Sequence, residues 1–411
     1  MSEIVLFLRT VVLLFTVAFG VRLVVDWSQQ LSYTSLLVAV GLAISITNAP
    51  LGVDLSSEVI LVGFLPAIVF DGALGISIRD VADDLLPILL LTVVGLPVAI
   101  GLLAVVGSVA IGIPPVIALL FATIVLPTDP AAVLSVFEEL DIATDLSVMV
   151  EGESLLNDGV AIAIFSTVLT THQAYATPQQ AFAQLTTPSG LATVGSSVLV
   201  VGGGGILFGL LVGAMGHAIE QRLTDRLGVV LLTVIVAYGG FLVAEELLGV
   251  SGVLAVVGAG LVMVPHEPSR GGIDAQETFV EYSWEFTAFL ASTLLYLLIG
   301  SQVEPAQFLQ YWYLVLGAAV LVVAVRGLTV YPLVAVSNRV SSSRVTRSWQ
   351  HLMVWGGLHT VVPVALALSL PSGLPYRAEI QATVFGVAIF GTVIQGLLLP
   401  AVVRTIGADS E

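Results

Sequence analysis

Apolar stretches of about twenty residues, separated by short polar breaks, follow one another from residue 4 to residue 405. An α-helix needs roughly 20 such residues to cross about 30 Å of hydrocarbon. Counted on that basis, spans fall near 4–25, 31–47, 57–76, 85–112, 114–137, 146–171, 191–216, 227–246, 250–265, 279–300, 309–337, 349–370 and 378–405. The pattern predicts an all-α integral membrane protein, a single membrane domain over 1–411 with about thirteen transmembrane helices. The opening MSEIVLFLRT carries an acid where a secretory leader is basic, and no small-residue cleavage site follows closely, so it reads as the first span.

An odd count leaves a central seventh span with six on either side. The fifth span is broken by "VLPTDPAAV" and its counterpart, the twelfth, by "GLHTVVPVAL". Interrupted segments at matching places in two halves mark inverted repeats with a binding site near the bilayer midplane. Pro66 and Pro97 also interrupt apolar runs, but only the matched pair has polar residues beside the break. Arginine placement gives an orientation, because positive residues in short loops stay on the cytoplasmic side. With the amino terminus outside, Arg22, Arg79, Arg222, Arg226, Arg270, Arg339, Arg344, Arg347 and Arg404 fall inside, and only Arg377 falls outside. The carboxy terminus is then cytoplasmic.

Composition narrows the chemistry. The chain is 57% hydrophobic and 10% charged, which leaves no soluble domain. It has no cysteine, excluding disulfides and thiolate chemistry, and no lysine, excluding a retinal Schiff base. A net charge of -17 on a lysine-free chain is what a salt-loving host would produce, and a GC-rich genome would also favour Arg over Lys. "GGGG", Gly202 to Gly205, lies in an apolar span without the lysine of a phosphate loop and reads as close helix packing or a dimer contact. "HEPSR", with His266, lacks the second histidine of a zinc-protease motif.

Two acids stand where acids are most costly. Asp158 lies about a dozen residues from either end of the span 146–171. Ionisable groups at that depth are functional by default. Helical spacing puts Ser154 and Asp158 on one stripe with Glu151 a turn away, while Glu153 and Asn157 form a neighbouring stripe. Asp129 is equally central in the fifth span, bracketed by Pro127 and Pro130. Each proline removes an amide donor, freeing the carbonyls of Thr123 and Leu126. Those carbonyls, the Thr128 hydroxyl and two carboxylates make a set of hard oxygens suited to a cation. Two carboxylates in one dehydrated cavity cannot both ionise cheaply. Protons and a monovalent cation would then compete for the same oxygens, and a protein that moves only when loaded is an antiporter. The plainer reading of the same acids is hydrogen-bonded glue between helices.

The segments "FLPAIVFDGAL", "VLPTDPAAVLSVFEEL", "EGESLLNDGVAIAIF", "SWEFTAFLASTLLYLLIG" and "WGGLHTVVPVALALSLP" resemble the monovalent cation/proton antiporter-1 family, the NhaP-type Na+/H+ exchangers, over nearly the whole chain. The resemblance implies an NhaA-like antiporter fold with discontinuous helices 5 and 12. It implies a homodimer in the cell membrane, with a transport unit at about 85–171 and 309–405 and a dimerisation unit at about 4–76 and 191–300. It makes Asp158 the shared carrier of ion and proton, with Asp129 and Ser154 completing a Na+ shell, and it aligns Asp71 with a third-span acid that is more usually Glu. The Asn157–Asp158 pair goes with electroneutral exchange. Where the family commonly has Arg in "GGLRG", this chain has His359, which the resemblance sets against Glu153 as a clamp braced by Asn157. A histidine there can titrate in the physiological range, or it can be a neutral, hydrogen-bonded core residue. Arg326 matches the family's intramembrane arginine, with no partner identified, and Glu285 either bridges the two units or caps a polar pocket.

The expected activity is therefore exchange of Na+, with Li+ tolerated, for H+ by alternating access, with no cofactor and no nucleic-acid partner. K+/H+ exchange is the alternative within the same mechanism, and a cation channel lined by Asp129 and Asp158 is the alternative from another class. An intramembrane hydrolase is disfavoured because no nucleophile, base and oxyanion arrangement presents itself.

Overall fold

The computed structural model describes residues 3–28, 32–47, 55–140, 142–263, 275–341 and 344–406. The "HEPSR" segment, with His266 and Arg270, lies outside the described residues. Within them all regular structure is helical. The first helices are α1 (Glu3–Ser28), α2 (Tyr33–Ile46), α3 (Val59–Gly75) and α4 (Leu85–Ile111). Then come α5 (Pro115–Val125), α6 (Ala131–Glu139), α7 (Thr144–Ala174), α8 (Pro188–Glu220), α9 (Arg226–Leu248) and α10 (Gly252–Met263). The chain continues through α11 (Ala275–Ser301), α12 (Trp312–Val340), α13 (Arg347–Trp355), α14 (Val361–Leu368) and α15 (Arg377–Ile406). Among the described residues, eight helices are long and apolar enough to cross a bilayer, namely α1, α4, α7, α8, α9, α11, α12 and α15. Four shorter ones, α2, α3, α5 and α10, are also apolar.

The two proline-bearing spans are interrupted, as their sequence predicts. Residues 126–130 separate α5 from α6, and residues 356–360 separate α13 from α14. Three short connecting helices, Ile78–Asp83, Pro178–Leu185 and Pro305–Gln310, have too few turns to show a periodicity. The first two carry a side-chain cap, from Ser77 and Thr177.

The chain forms two compact units, one comprising Met1–Ile60, Ile124–Ser147 and Ser292–Glu411, the other Leu61–Thr123 and Val148–Ala291. In the first, α2 crosses the end of α11 at a pair of glycines. A Cβ on Gly41 would strike the Leu297 carbonyl, and one on Gly300 the Val38 carbonyl. Without a hydrophobic drive inside lipid, such backbone proximity and a few polar contacts hold helices together. Here the polar contacts are Tyr33 to Thr293 at 3.3 Å and Ser45 to the Val303 carbonyl. A π turn in α15, Phe390–Gln395, offers the Thr392 carbonyl to the Ser35 hydroxyl at 2.5 Å. The same turn meets the end of α13, where Trp355 Nε1 donates to the Gln395 carbonyl and Gln395 Nε2 to the Trp355 carbonyl.

In the second unit, Gly205, Gly209 and Gly213 of α8 lie against Ser251, Ala255 and Ala259 of α10. Their four-residue spacing puts a smooth stripe along one face, so the glycine run is a helix-packing device. Opposite it on α10, Gly260 abuts Ala73 and Phe70 of α3. Phe70 tilts against Trp284 of α11, ring centroids 4.5 Å apart, and Trp284 Nε1 donates to Thr233 Oγ1 of α9 at 2.8 Å. Gly209→Leu should force α8 and α10 apart. We expect a loss of several kcal/mol, on the order of 3, read as loss of monodisperse protein on size exclusion in mild detergent. Gly203→Leu, where a Cβ meets nothing within 4 Å, should be tolerated.

Candidate functional site

In the first unit the two interruptions hydrogen-bond to each other. Asp129 N–H donates to the Leu358 carbonyl at 2.6 Å, and His359 Nδ1 lies 2.8 Å from the Pro127 carbonyl. A carbonyl only accepts, so Nδ1 carries the hydrogen. The Leu126 carbonyl, freed by Pro130, is also met by His359. Backbone stripped of helical partners is thus satisfied within the protein, the condition for irregular chain at membrane depth.

The side chain of Asp129 sits at the start of two half-helices. It accepts from the Ala131 N–H at the head of α6 at 3.1 Å, and from the Thr360 side chain and the Val361 N–H at the head of α14. Its second oxygen accepts from the Tyr296 hydroxyl of α11 at 2.5 Å. Helix N-termini carry partial positive charge, so a carboxylate between two of them answers both. At the opposite polarity, Arg326 Nε donates to the Met353 carbonyl in the last turn of α13 at 3.3 Å, which supplies a partner that the sequence did not identify. Gly357 allows this, since a Cβ there would stand 3.2 Å from Arg326 Nε and 3.6 Å from the Thr128 methyl. Asp129, Thr128, His359 and Arg326 are therefore gathered around one pair of crossed breaks. Tyr296→Phe should lower the stability of this crossing by about 1–2 kcal/mol, visible as a lower Tm in a thermal-shift assay.

The second unit holds the polar face of α7. Glu153, Ser154, Asn157 and Asp158 are all buried there, the most exposed being Asp158 at 9%. Each of the four has an interaction partner. Glu151 is less deeply buried, and its carboxylate rests against α3 at Gly72, the residue after Asp71. Asp71 itself lies within electrostatic reach of Glu285 on α11. Glu285 therefore belongs with the α3 acid, next to the Phe70–Trp284 ring contact. On the other side of the helix, Gly152 and Gly159 let α7 sit close to Ile88 of α4 and Leu254 of α10.

Tyr296 and Thr360 escape a reading of the sequence alone. Tyr296 looks like one more aromatic in an apolar run, and only its place 167 residues from Asp129 along the chain, joined by the fold, reveals it. Thr360 could have been flagged as the residue before a half-helix, the usual place of a capping hydroxyl.

A family profile described as "Sodium/hydrogen exchanger, transmembrane" matches residues 11–405. The Na(+)/H(+) antiporter ApNhaP of Aphanothece halophytica is 34% identical over 384 residues, covering 92% of this chain and 70% of the relative. The Na(+)/H(+) antiporter NhaP of Pseudomonas aeruginosa is 34% identical over 368 residues, 86% of this chain and 82% of the relative. The solved structure of the sodium proton antiporter MjNhaP1 from Methanocaldococcus jannaschii at pH 8 superposes with a TM-score of 0.76 over 99% of each chain at 19% identity. At that identity the likeness speaks for the fold alone: all-helical, of the antiporter type.

Proposed function

The chain belongs to the transmembrane sodium/hydrogen exchanger family, and from that premise we propose that it exchanges Na+, with Li+ tolerated, for H+ without net charge movement. It is a multi-pass membrane transporter, not an enzyme. Asp158 takes up either the proton or the cation, Ser154 contributes a neutral oxygen one turn away, and Asp129 and Thr128 supply further oxygens. Asp71 is a further ion- or proton-binding carboxylate. Glu153, Asn157, His359 and Arg326 brace the elements that move. Residues 85–171 and 309–405 form the moving transport unit, and 4–76 and 191–300 hold a homodimer in the cell membrane.

One observation carries this reading: two interrupted helices bonded to each other through Asp129–Leu358 and His359–Pro127, with a carboxylate at the heads of two half-helices. Half-helix ends facing a polar locus are the device by which transporters meet ions inside a membrane.

The test is a proteoliposome assay with a pH-sensitive dye, adding Na+, Li+ or K+ on one side. Na+ and Li+ should move protons, K+ should not, and clamping the membrane potential with valinomycin should leave the rate unchanged. A response to K+ alone would make it a K+/H+ exchanger. Current without proton movement would make it a channel.

A further inference from the structure

Between Glu304 and Glu379 the chain has no acid, although it carries 29 acids in 411 residues. Arg339, Arg344 and Arg347 fall in that stretch, in the segment "SNRVSSSRVTRS" that joins α12 to α13. Three positive charges so close together are out of keeping with a chain whose net charge is -17. All three residues are exposed, and among the described residues none of their side chains makes a hydrogen bond or an ion pair.

The connection is built to hold them there. Asn338, in the last turn of α12, donates through Nδ2 to the Val345 carbonyl and accepts from the Val345 N–H, both at 2.9 Å. The buried Gln350 of α13 donates to the same carbonyl at 3.1 Å. Val345 is only 2% exposed, and the Thr346 hydroxyl caps α13 by accepting from the Trp349 N–H at 3.2 Å. Arg339 and Arg344 are the immediate neighbours of the two clamped residues, and Arg347 follows two residues after Val345. Pinning Asn338 to Val345 therefore draws like charges together against their repulsion. An anion that joins them relieves it.

The level of the patch in the bilayer names that anion. Arg339 lies in the last turn of α12, a helix long and apolar enough to cross a membrane, so it stands where hydrocarbon gives way to headgroups. The clamp folds Arg344 back to the same level, and Trp349 in the first turn of α13 is of the type that settles at that boundary. The end of α15 returns to it too. Trp355 of α13 and Gln395 of α15 bond to each other, and eight residues back along one helix and nine forward along the other lead to Arg347 and Arg404. Those steps are about 12 and about 14 Å, which adds Arg404, also exposed, at a matching height.

We propose that this patch binds the phosphate of anionic phospholipids in the leaflet it faces, with Arg339, Arg344 and Arg347 gripping the headgroup and the Asn338–Val345 clamp fixing their spacing. A guanidinium meets phosphate oxygens through two parallel hydrogen bonds. Contact of that kind persists where salt screens attraction over longer distances.

To test this, the full chain in mild detergent is titrated by calorimetry with dioctanoyl phosphatidylglycerol, dioctanoyl phosphatidylcholine and inorganic phosphate. Phosphatidylglycerol should bind at least about tenfold more tightly than phosphatidylcholine. Each arginine near an anionic surface contributes about fivefold. Arg344→Gln should therefore weaken phosphatidylglycerol binding about fivefold, and the triple variant Arg339→Gln/Arg344→Gln/Arg347→Gln about a hundredfold, with elution and Tm close to wild type. Asn338→Ala keeps every charge but releases the clamp, and should weaken binding about threefold. Should the triple variant fail to yield folded protein, Arg344→Gln alone is held to its own criterion. Equal affinity for the two lipids overturns the proposal, as does a triple variant that binds phosphatidylglycerol like wild type. Inorganic phosphate that displaces phosphatidylglycerol at equal concentration also overturns it, by assigning the patch to a soluble anion.

Discussion

Asp158→Asn is expected to abolish Na+-driven proton movement, lowering the rate at least about a hundredfold, the equivalent of about 2.7 kcal/mol. Asparagine matches aspartate in size and keeps one acceptor oxygen, with an NH2 donor in place of the other, and Asp158 is packed on a helix whose glycines fix its seat against α4 and α10. The fold should therefore survive, with an elution profile and Tm close to wild type. What the amide cannot do is hold a proton in one half-cycle and balance a cation in the other. Loss of transport in a well-folded variant is the signature of a carrier group; substantial exchange in Asp158→Asn would end that assignment.

Asp129→Ala should do damage of a different kind. The carboxylate accepts from Ala131, Val361, Thr360 and Tyr296, so its removal leaves two half-helix heads and a buried phenol unmet at once. Hydrogen bonds to a charged group contribute about 1.5–3 kcal/mol each and are not additive. We expect a loss on the order of 4 kcal/mol, with a fall in Tm of many degrees and no exchange. Asp129→Asn retains an acceptor oxygen for one head and should recover much of the Tm while exchange stays low. If both variants melt like wild type, Asp129 does not hold the crossing together. If Asp129→Asn transports normally, its charge is not part of the cycle.

The parts of the site legible in the sequence are those where burial makes a residue expensive. An acid in the middle of an apolar run declares itself, which is why Asp129, Asp158 and the polar face of α7 could be read directly. Prolines beside a polar residue gave both interruptions to within a few residues, because a missing amide donor breaks a helix regardless of what packs around it. Contacts between distant segments had no such signature. Nothing in "TLLYLLIG" says that Tyr296 will reach Asp129, and the resemblance that set His359 against Glu153 gave no hint that its Nδ1 would seat on the Pro127 carbonyl. Arg326 stood out as a charge in a span, but the Met353 carbonyl that its Nε meets is backbone, and every residue has such a carbonyl. The π turns, Leu90–Gly95 among them, were invisible because one extra residue in a turn barely perturbs an apolar run.

These observations fit a single scheme in which fixed half-helix ends and enclosed acids hold either a proton or a metal ion. The most direct test is the affinity of the purified protein for Na+ as a function of pH, measured by calorimetry or by Na+-dependent protection against heat. Competition predicts that the Kd rises about tenfold for each unit of acidification through the range where the site takes up its proton. A Kd that stays constant as the medium is acidified would contradict it.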